Sequence, residues 1–219
     1  MLNEERGRPG LLVDWGGVMT SDVFTSFNAF CAREGLAEDA VRLAFQTDPA
    51  ARALLAGLET GEITEPEFEQ GLAEILGVPA PGLIGRLMRE ARSEPRMLAA
   101  VRAARKAGVL TGLVSNSWGA GGYPREQFAE LFDGVVISGE AKVRKPSPEI
   151  YRLGAEAVGL RPDQCVFVDD LRGNLKAARE LGMATVHHVS VDATLAQLAE
   201  ILSIDLSVLS DTAVEEGAP

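Results

Sequence analysis

Cysteine, histidine, tryptophan and tyrosine each occur only twice in these 219 residues, and basic residues are outnumbered by acids. Each shortage excludes something. The two cysteines, Cys31 and Cys165, are far apart in apolar settings. Two buried free thiols in a reducing compartment are expected, rather than a disulfide or a thiolate metal pair. The two histidines are adjacent, His187-His188, with no third ligand at suitable spacing; they read as satisfied or exposed side chains, not metal ligands. With 21 Lys and Arg against 32 Asp and Glu, the formal net charge is −11. Such a chain is a poor partner for nucleic acid or an anionic membrane. A small anionic substrate stays open, because a local field and a bound cation override the global balance. No apolar run approaches transmembrane length, and Met1-Leu2-Asn3-Glu4-Glu5-Arg6 has no apolar core for a signal peptide. A cytoplasmic protein is expected. No internal repeat is visible. The loop Gly119-Ala120-Gly121-Gly122 is not followed by Gly-Lys-Ser/Thr, so it reads as freedom beside a pocket and not as a phosphate cradle.

What is present is material for a packed interior. Hydrophobic residues make up 46%, at a length that suits one sizeable domain or a core with an insertion. The chain is organised around Gly10-Leu11-Leu12-Val13-Asp14-Trp15-Gly16-Gly17-Val18. Apolar residues bounded by glycine predict a buried strand over 10–14 that ends at Asp14. In open parallel sheets, ligands bind at the carboxyl ends of strands, which is where Asp14 would stand. Three more apolar runs end in Ser115, Ser138 and the pair Asp169-Asp170, with Lys145-Pro146 between the last two.

Residues 1–9 are charged and read as a loose arm. From about 20 to 94 the pattern is helical. Val23, Phe24, Phe27, Phe30 and Cys31 share one face behind an N-cap at Thr20 or Ser21. Further helices are expected around Val41–Phe45 and over 49–58. Thr64-Glu65-Pro66-Glu67 is a capping box opening a fourth, and a last helix is expected around 82–92. This is an all-helical insertion. After Pro95 helices and strands alternate: helix 96–107, strand 109–115, helix 124–132, strand 134–138, helix 147–158, strand 165–169, helix 172–181, strand 183–188 and helix 192–202. Repeated units of this length predict an α/β fold, a Rossmann-like parallel sheet with helices on both faces. The expected division is a core of 1–19 and 95–204, a helical domain of 20–94, and an acidic tail over 205–219.

Asp14, Ser115, Lys145 and Asp169-Asp170 resemble, in order and spacing, the four motifs of the haloacid dehalogenase-like hydrolases. The resemblance spans about residues 10 to 200. The insertion at 20–94 resembles that family's helical cap, with Gly61-Glu62-Ile63-Thr64 leading to Glu67-Phe68. Arg144-Lys145-Pro146-Ser147-Pro148-Glu149-Ile150-Tyr151 and Val166-Phe167-Val168-Asp169-Asp170 with Asn174 are close to family wording. The resemblance implies Asp14 as nucleophile on phosphorus, giving an aspartyl-phosphate that water hydrolyses. It implies Mg²⁺, an oxygen-seeking cation, held by Asp14, the backbone carbonyl of Gly16 and Asp169 as direct ligand, with Asp170 completing or orienting the shell. Ser115 and the Asn116 amide would bind phosphate oxygens. Lys145 would neutralise Asp14 and the transferring group; the neighbouring Arg144 competes for that role. Trp15 and Trp118 flank motif residues and serve either a substrate pocket or ordinary packing.

One position departs from the family. Most of its phosphatases carry a second Asp, a general acid and base, where this chain has Gly16. Such proton transfer is worth about 10²–10⁴-fold. The leading reading is Mg²⁺-dependent hydrolysis of a small phosphorylated metabolite. A hydrolytic 2-haloacid dehalogenase is the alternative, and it would need neither metal nor the double carboxylate. A weakly active binding protein is the third, suggested by Gly16 alone.

Overall fold

The computed structural model describes residues 8–119 and 122–206. The expected arm and acidic tail fall largely outside the described residues, as do Ala120 and Gly121. Five parallel strands form one sheet in the order β3-β2-β1-β4-β5. They are β1 (Gly10–Val13), β2 (Thr111–Ser115), β3 (Gly134–Ile137), β4 (Cys165–Asp169) and β5 (Ala184–His187). Register follows from side-chain alternation. Leu11 and Val13 face one side with Leu113, Val166 and Val168, while Leu12 faces the other with Val114 and Phe167. A one-residue slip would exchange these two faces. On the first face pack α6 (Pro95–Lys106) and α11 (Val191–Leu202); on the second pack α9 (Pro148–Ala157) and α10 (Arg172–Glu180).

Between β1 and α6 run α1 (Val23–Glu34), α2 (Ala40–Thr47), α3 (Pro49–Thr60), α4 (Glu65–Leu76) and α5 (Leu83–Leu87). They bury a separate apolar cluster that includes Phe27, Phe30, Phe68, Leu72 and Leu83. The capping box forms as expected: Thr64 N donates to Glu67 Oε2 at 2.8 Å, and Glu67 N donates to Thr64 Oγ1 at 3.4 Å. Asp48 caps α3, accepting from Ala50 N at 2.7 Å.

Three expectations are corrected. The N-cap of α1 is Asp22, whose Oδ1 accepts from Phe24 N at 2.9 Å, a bond of about 1 kcal/mol. Thr20 is engaged in closing the turn after β1, where its Oγ1 accepts from Gly17 N at 3.1 Å. The helix expected around 82–92 stops at Leu87, because the chain must return beside its own entry. Thr20 pairs antiparallel with Ser93, Ser21 N donates to Arg92 O at 2.7 Å, and Glu94 N donates to Met19 O at 2.9 Å. The helix expected over 124–132 is a 3-10 turn, Arg125–Gln127, followed by the short α7 (Phe128–Leu131). Between β3 and α9 lies the single turn α8 (Ser138–Ala141). Both cysteines are free and buried, as expected, and burial pushes the Cys165 thiol up to about 11.

Candidate active site

The chain fills β1, β2 and β3 to one side and then crosses to β4 on the other. The carboxyl ends of β1 and β4 therefore flank a topological switch point, where open sheets leave a crevice. Asp14 follows β1, its N–H bonded to Val168 O at 2.9 Å. Asp169 ends β4 with no exposed surface. Lys145 arrives between α8 and α9 and lies between these acids. Its Nζ is 2.7 Å from Asp14 Oδ1 and 2.7 Å from Asp169 Oδ2, and 5.4 Å from the centre of the Phe167 ring.

The loop that carries Lys145 is fixed by Asn116. Lys145 N donates to Asn116 Oδ1 at 2.8 Å, and Asn116 Nδ2 donates to Lys145 O at 3.2 Å. Lys145, and not Arg144, occupies the carboxylate site. Arg144 pairs with Glu59 on α3.

Asp14, Asp169 and Asp170 bring carboxylate oxygens within 4.8 Å of one another. With all three carboxylates ionised against one ammonium, two negative charges would be left at the crevice. Burial, and then the Asp169 charge, raise Asp14 to about 6 despite Lys145. Burial, Asp14 and Asp169 raise Asp170 to about 7. Burial alone would lower Lys145, but the two carboxylates reverse the direction and hold it as a cation. An all-oxygen cluster with two uncompensated charges fits a hard divalent cation such as Mg²⁺.

Hydrogen bonding distinguishes the two neighbouring acids. Asp169 Oδ1 accepts from Leu171 N at 2.8 Å and Asn174 Nδ2 at 3.0 Å, and its Oδ2 is held by Lys145. Asp170 is only partly buried and lines the cavity with Asp14 and Gly16. The Asp169 carboxylate is committed to Lys145, Leu171 and Asn174, and that of Asp170 faces the cavity. Gly16 has ordinary backbone geometry. The left-handed residue is Gly17, at φ 74°, where an added Cβ would lie 2.7 Å from Asp170 Oδ2; any side chain there would displace the acid.

Ser115, at the end of β2, is buried with its Oγ 3.0 Å from the Tyr123 hydroxyl. Tyr123 sits in a loop, which offered no periodic signal to find it by. The histidines behave as expected: His187 Nε2 lies 3.0 Å from Asp170 O, and His188 Nδ1 lies 2.9 Å from Thr194 Oγ1. Trp15 and Trp118 both line the cavity, and both also pack against other rings.

Glu59 is a second residue that sequence patterning missed. It belongs to the helical segment, yet its Oε2 accepts from Asn116 Nδ2 at 3.2 Å, and Ser138 Oγ donates to its carbonyl. The only hint was its place just before Gly61-Glu62-Ile63-Thr64. Burial raises Glu59 to about 7, against Arg144, Lys145 and the Asn116 amide. Between pH 4.5 and 7 the folded protein keeps a proton that the unfolded chain has released. Stability from this group is thus present below pH 4.5 and lost as pH rises to 7. Glu59→Gln removes that loss, so its melting temperature relative to wild type should climb from pH 5 to pH 8, by the equivalent of about 1–3 kcal/mol. Melts at three pH values check this; a flat difference would mean that Arg144 fully compensates the buried charge.

Comparison with known proteins agrees with this geometry. The family model of the haloacid dehalogenase-like hydrolases matches residues 9–182. Bifunctional epoxide hydrolase 2 of Sus scrofa is 29% identical over 172 residues, which are 69% of this chain and 31% of that protein. The chain thus spans under a third of the length of that relative. Glyceraldehyde 3-phosphate phosphatase of Methanopyrus kandleri is 31% identical over 185 residues, 69% of this chain and 76% of that one. A HAD family enzyme of Bacteroides thetaiotaomicron, solved as a mutant with magnesium and inorganic phosphate, superposes with a TM-score of 0.60 at 26% identity, covering 83% of this chain and 94% of that one. With four motifs converging on one crevice and the family model covering most of the sequence, this chain belongs to the haloacid dehalogenase-like hydrolases.

Proposed function

We propose that this chain is a Mg²⁺-dependent phosphomonoesterase acting through a phosphorylated Asp14. The observation that carries the reading is the charge imbalance around Lys145: a third carboxylate, Asp170, stands where one ammonium already serves two. A haloacid dehalogenase needs no metal and would gain nothing from that third acid. The phosphatase relative and the magnesium- and phosphate-bound neighbour support the same reading.

In this mechanism Asp14 attacks phosphorus through a carboxylate oxygen. The bond from phosphorus to the leaving alcohol oxygen breaks, and water then attacks phosphorus to free Asp14 and phosphate. Asp14, Asp170 and the carbonyl of Gly16 would hold Mg²⁺. When bound, the ion offsets the repulsion between carboxylate and phosphate dianion and polarises the phosphoryl oxygens. Lys145 orients Asp14 and supplies a fixed positive charge. Ser115 offers a hydroxyl to a phosphate oxygen. Asn116, its side-chain amide occupied, acts by holding Lys145. The leaving oxygen finds no carboxylic acid at Gly16. Asp22 does not replace it, because its carboxylate caps α1. The five helices act as a cap over Asp14, supported by their separate apolar cluster and by the paired entry and exit at Thr20 and Ser93.

Phosphate release should stop with a chelator and return with Mg²⁺. At 100 times its dissociation constant, Mg²⁺ should stabilise the fold by about 2.7 kcal/mol, read as a rise in melting temperature. Asp170→Asn should remove most of that rise. Full activity in excess chelator would instead favour the dehalogenase.

A further inference from the structure

The site opens into a cavity of about 1150 Å³, above the usual ligand-site range of about 300–1,000 Å³. Its phosphate end is polar, while the opposite wall is mixed: Arg42, Gln46, Glu65 and Glu69 line it beside a larger apolar share. Phe24, Phe45, Leu55, Ile84, Met88 and Trp118 all line it, and each is only half-buried, leaving apolar surface facing the cavity. Trp118 anchors this wall, 5.4 Å from the Phe27 ring and 5.9 Å from Phe45. Contiguous apolar surface inside a cleft marks what the cleft binds.

The charges around the cavity point the same way. Each lining cation has an acid beside it: Arg42 has Asp39 at 2.6 Å, Arg92 has Glu90 at 3.5 Å (an acid that Arg33 also holds), Arg144 has Glu59, and Lys145 has Asp14 and Asp169. Of the lining acids beyond the metal cluster, Glu69 is bound to the N–H groups of Gly82 and Ile84, and Glu59 is paired as above. A second phosphate or a carboxylate on the substrate would have to compete with these acids for the lining cations. A polyhydroxylated body would lose water hydrogen bonds wherever it lies against Phe24, Phe45, Leu55, Ile84, Met88 and Trp118.

We infer that the substrate is a phosphomonoester of an apolar alcohol, with an aryl or branched-alkyl body. The phosphoryl half of this inference rests on the proposed phosphatase reading; the apolar half rests on the cavity wall.

Phosphonates test both halves, because they are not hydrolysed and remove leaving-group basicity from the comparison. In Mg²⁺, 2-naphthylmethyl phosphonate should bind about 30-fold or more tighter than 2,3-dihydroxypropyl phosphonate, measured by calorimetry. Phe45→Ser should cut that ratio about tenfold, and Leu55→Asn serves where Phe45→Ser does not fold. Equal affinity of the two phosphonates, or preference for the hydroxylated one, would overturn the inference. A neutral probe, 2-naphthylethanol, separates the two halves. Binding of this alcohol, weakened by Phe45→Ser while neither phosphonate binds, would keep the apolar wall and reject the phosphomonoester. Failure of all three probes would reject the whole inference.

Discussion

Asp14→Asn is expected to reduce phosphate release by about 10⁴-fold or more while leaving a folded protein. An amide oxygen is too weak a nucleophile to displace an alkoxide from phosphorus, so the first bond of the reaction does not form. The fold should tolerate the change because the new amide oxygen can still accept from Trp15 N, as Asp14 Oδ1 does at 2.7 Å. It can also accept from Lys145, as Oδ1 does now. Stability should hold or rise near neutral pH. Burial raises Asp14 to about 6, above its ordinary value, so the wild type loses stability from this group as pH climbs to 6. A neutral side chain does not incur that loss. Phosphate release and circular dichroism melts, taken on the same samples at pH 5 and pH 8, make the test. Turnover retained in a folded Asp14→Asn protein would rule out Asp14 as the nucleophile.

The places of the motif residues were legible because strand ends are written in local sequence, while the roles proposed for them come from the family resemblance. An apolar run with one polar residue at its end specifies both a buried strand and what stands at its mouth, and this holds for Asp14, Ser115 and Asp169. Parallel pairing then brings residues far apart in the chain to one edge: Val13 pairs with Leu113 and with Val168. What stayed hidden depends on contacts across modules. Glu59 looks like any polar position near a helix end until α3 is seen against Asn116. Tyr123 lies in a loop. The different surroundings of Asp169 and Asp170 are set by donors from Lys145, Leu171 and Asn174, which no spacing rule assigns. The N-cap at Asp22 displaced Thr20 because that hydroxyl closes the turn at Gly17. The shortened α5 reflects a backbone pairing between residues 20 and 93, a long-range constraint invisible to helical periodicity.

Lys145→Met should be the most damaging single change to the fold as well as to turnover. The ammonium is 1% exposed and is shared by two carboxylates at 2.7 Å each. Its pairs are not worth their full Coulomb energy, since all three groups lost water on folding. Removing the cation alone is different, because it leaves two buried acids facing each other beside Asp170. Breaking a buried pair in this way costs about 3–5 kcal/mol, or about 6–20 °C in melting temperature for a chain of this size. The loss should depend on pH with a definite sign. Asp14 already sits at about 6 with Lys145 in place, and without the cation it climbs further. At pH 5 the folded variant relieves the repulsion by taking up a proton; at pH 8 it cannot. Lys145→Met should therefore melt closer to wild type at pH 5 than at pH 8. Mg²⁺ should recover part of the stability at pH 8, since a divalent cation supplies charge to the same carboxylates, but not the turnover. Turnover should stay down by about 10²–10³-fold for want of the fixed charge on the transferring group. Melts at both pH values, with and without Mg²⁺, carry the test. A variant within 2 °C of wild type at pH 8 in chelator, a shift worth about 1 kcal/mol or less, would mean that the three acids do not depend on Lys145, and the charge argument for the metal would fall with it.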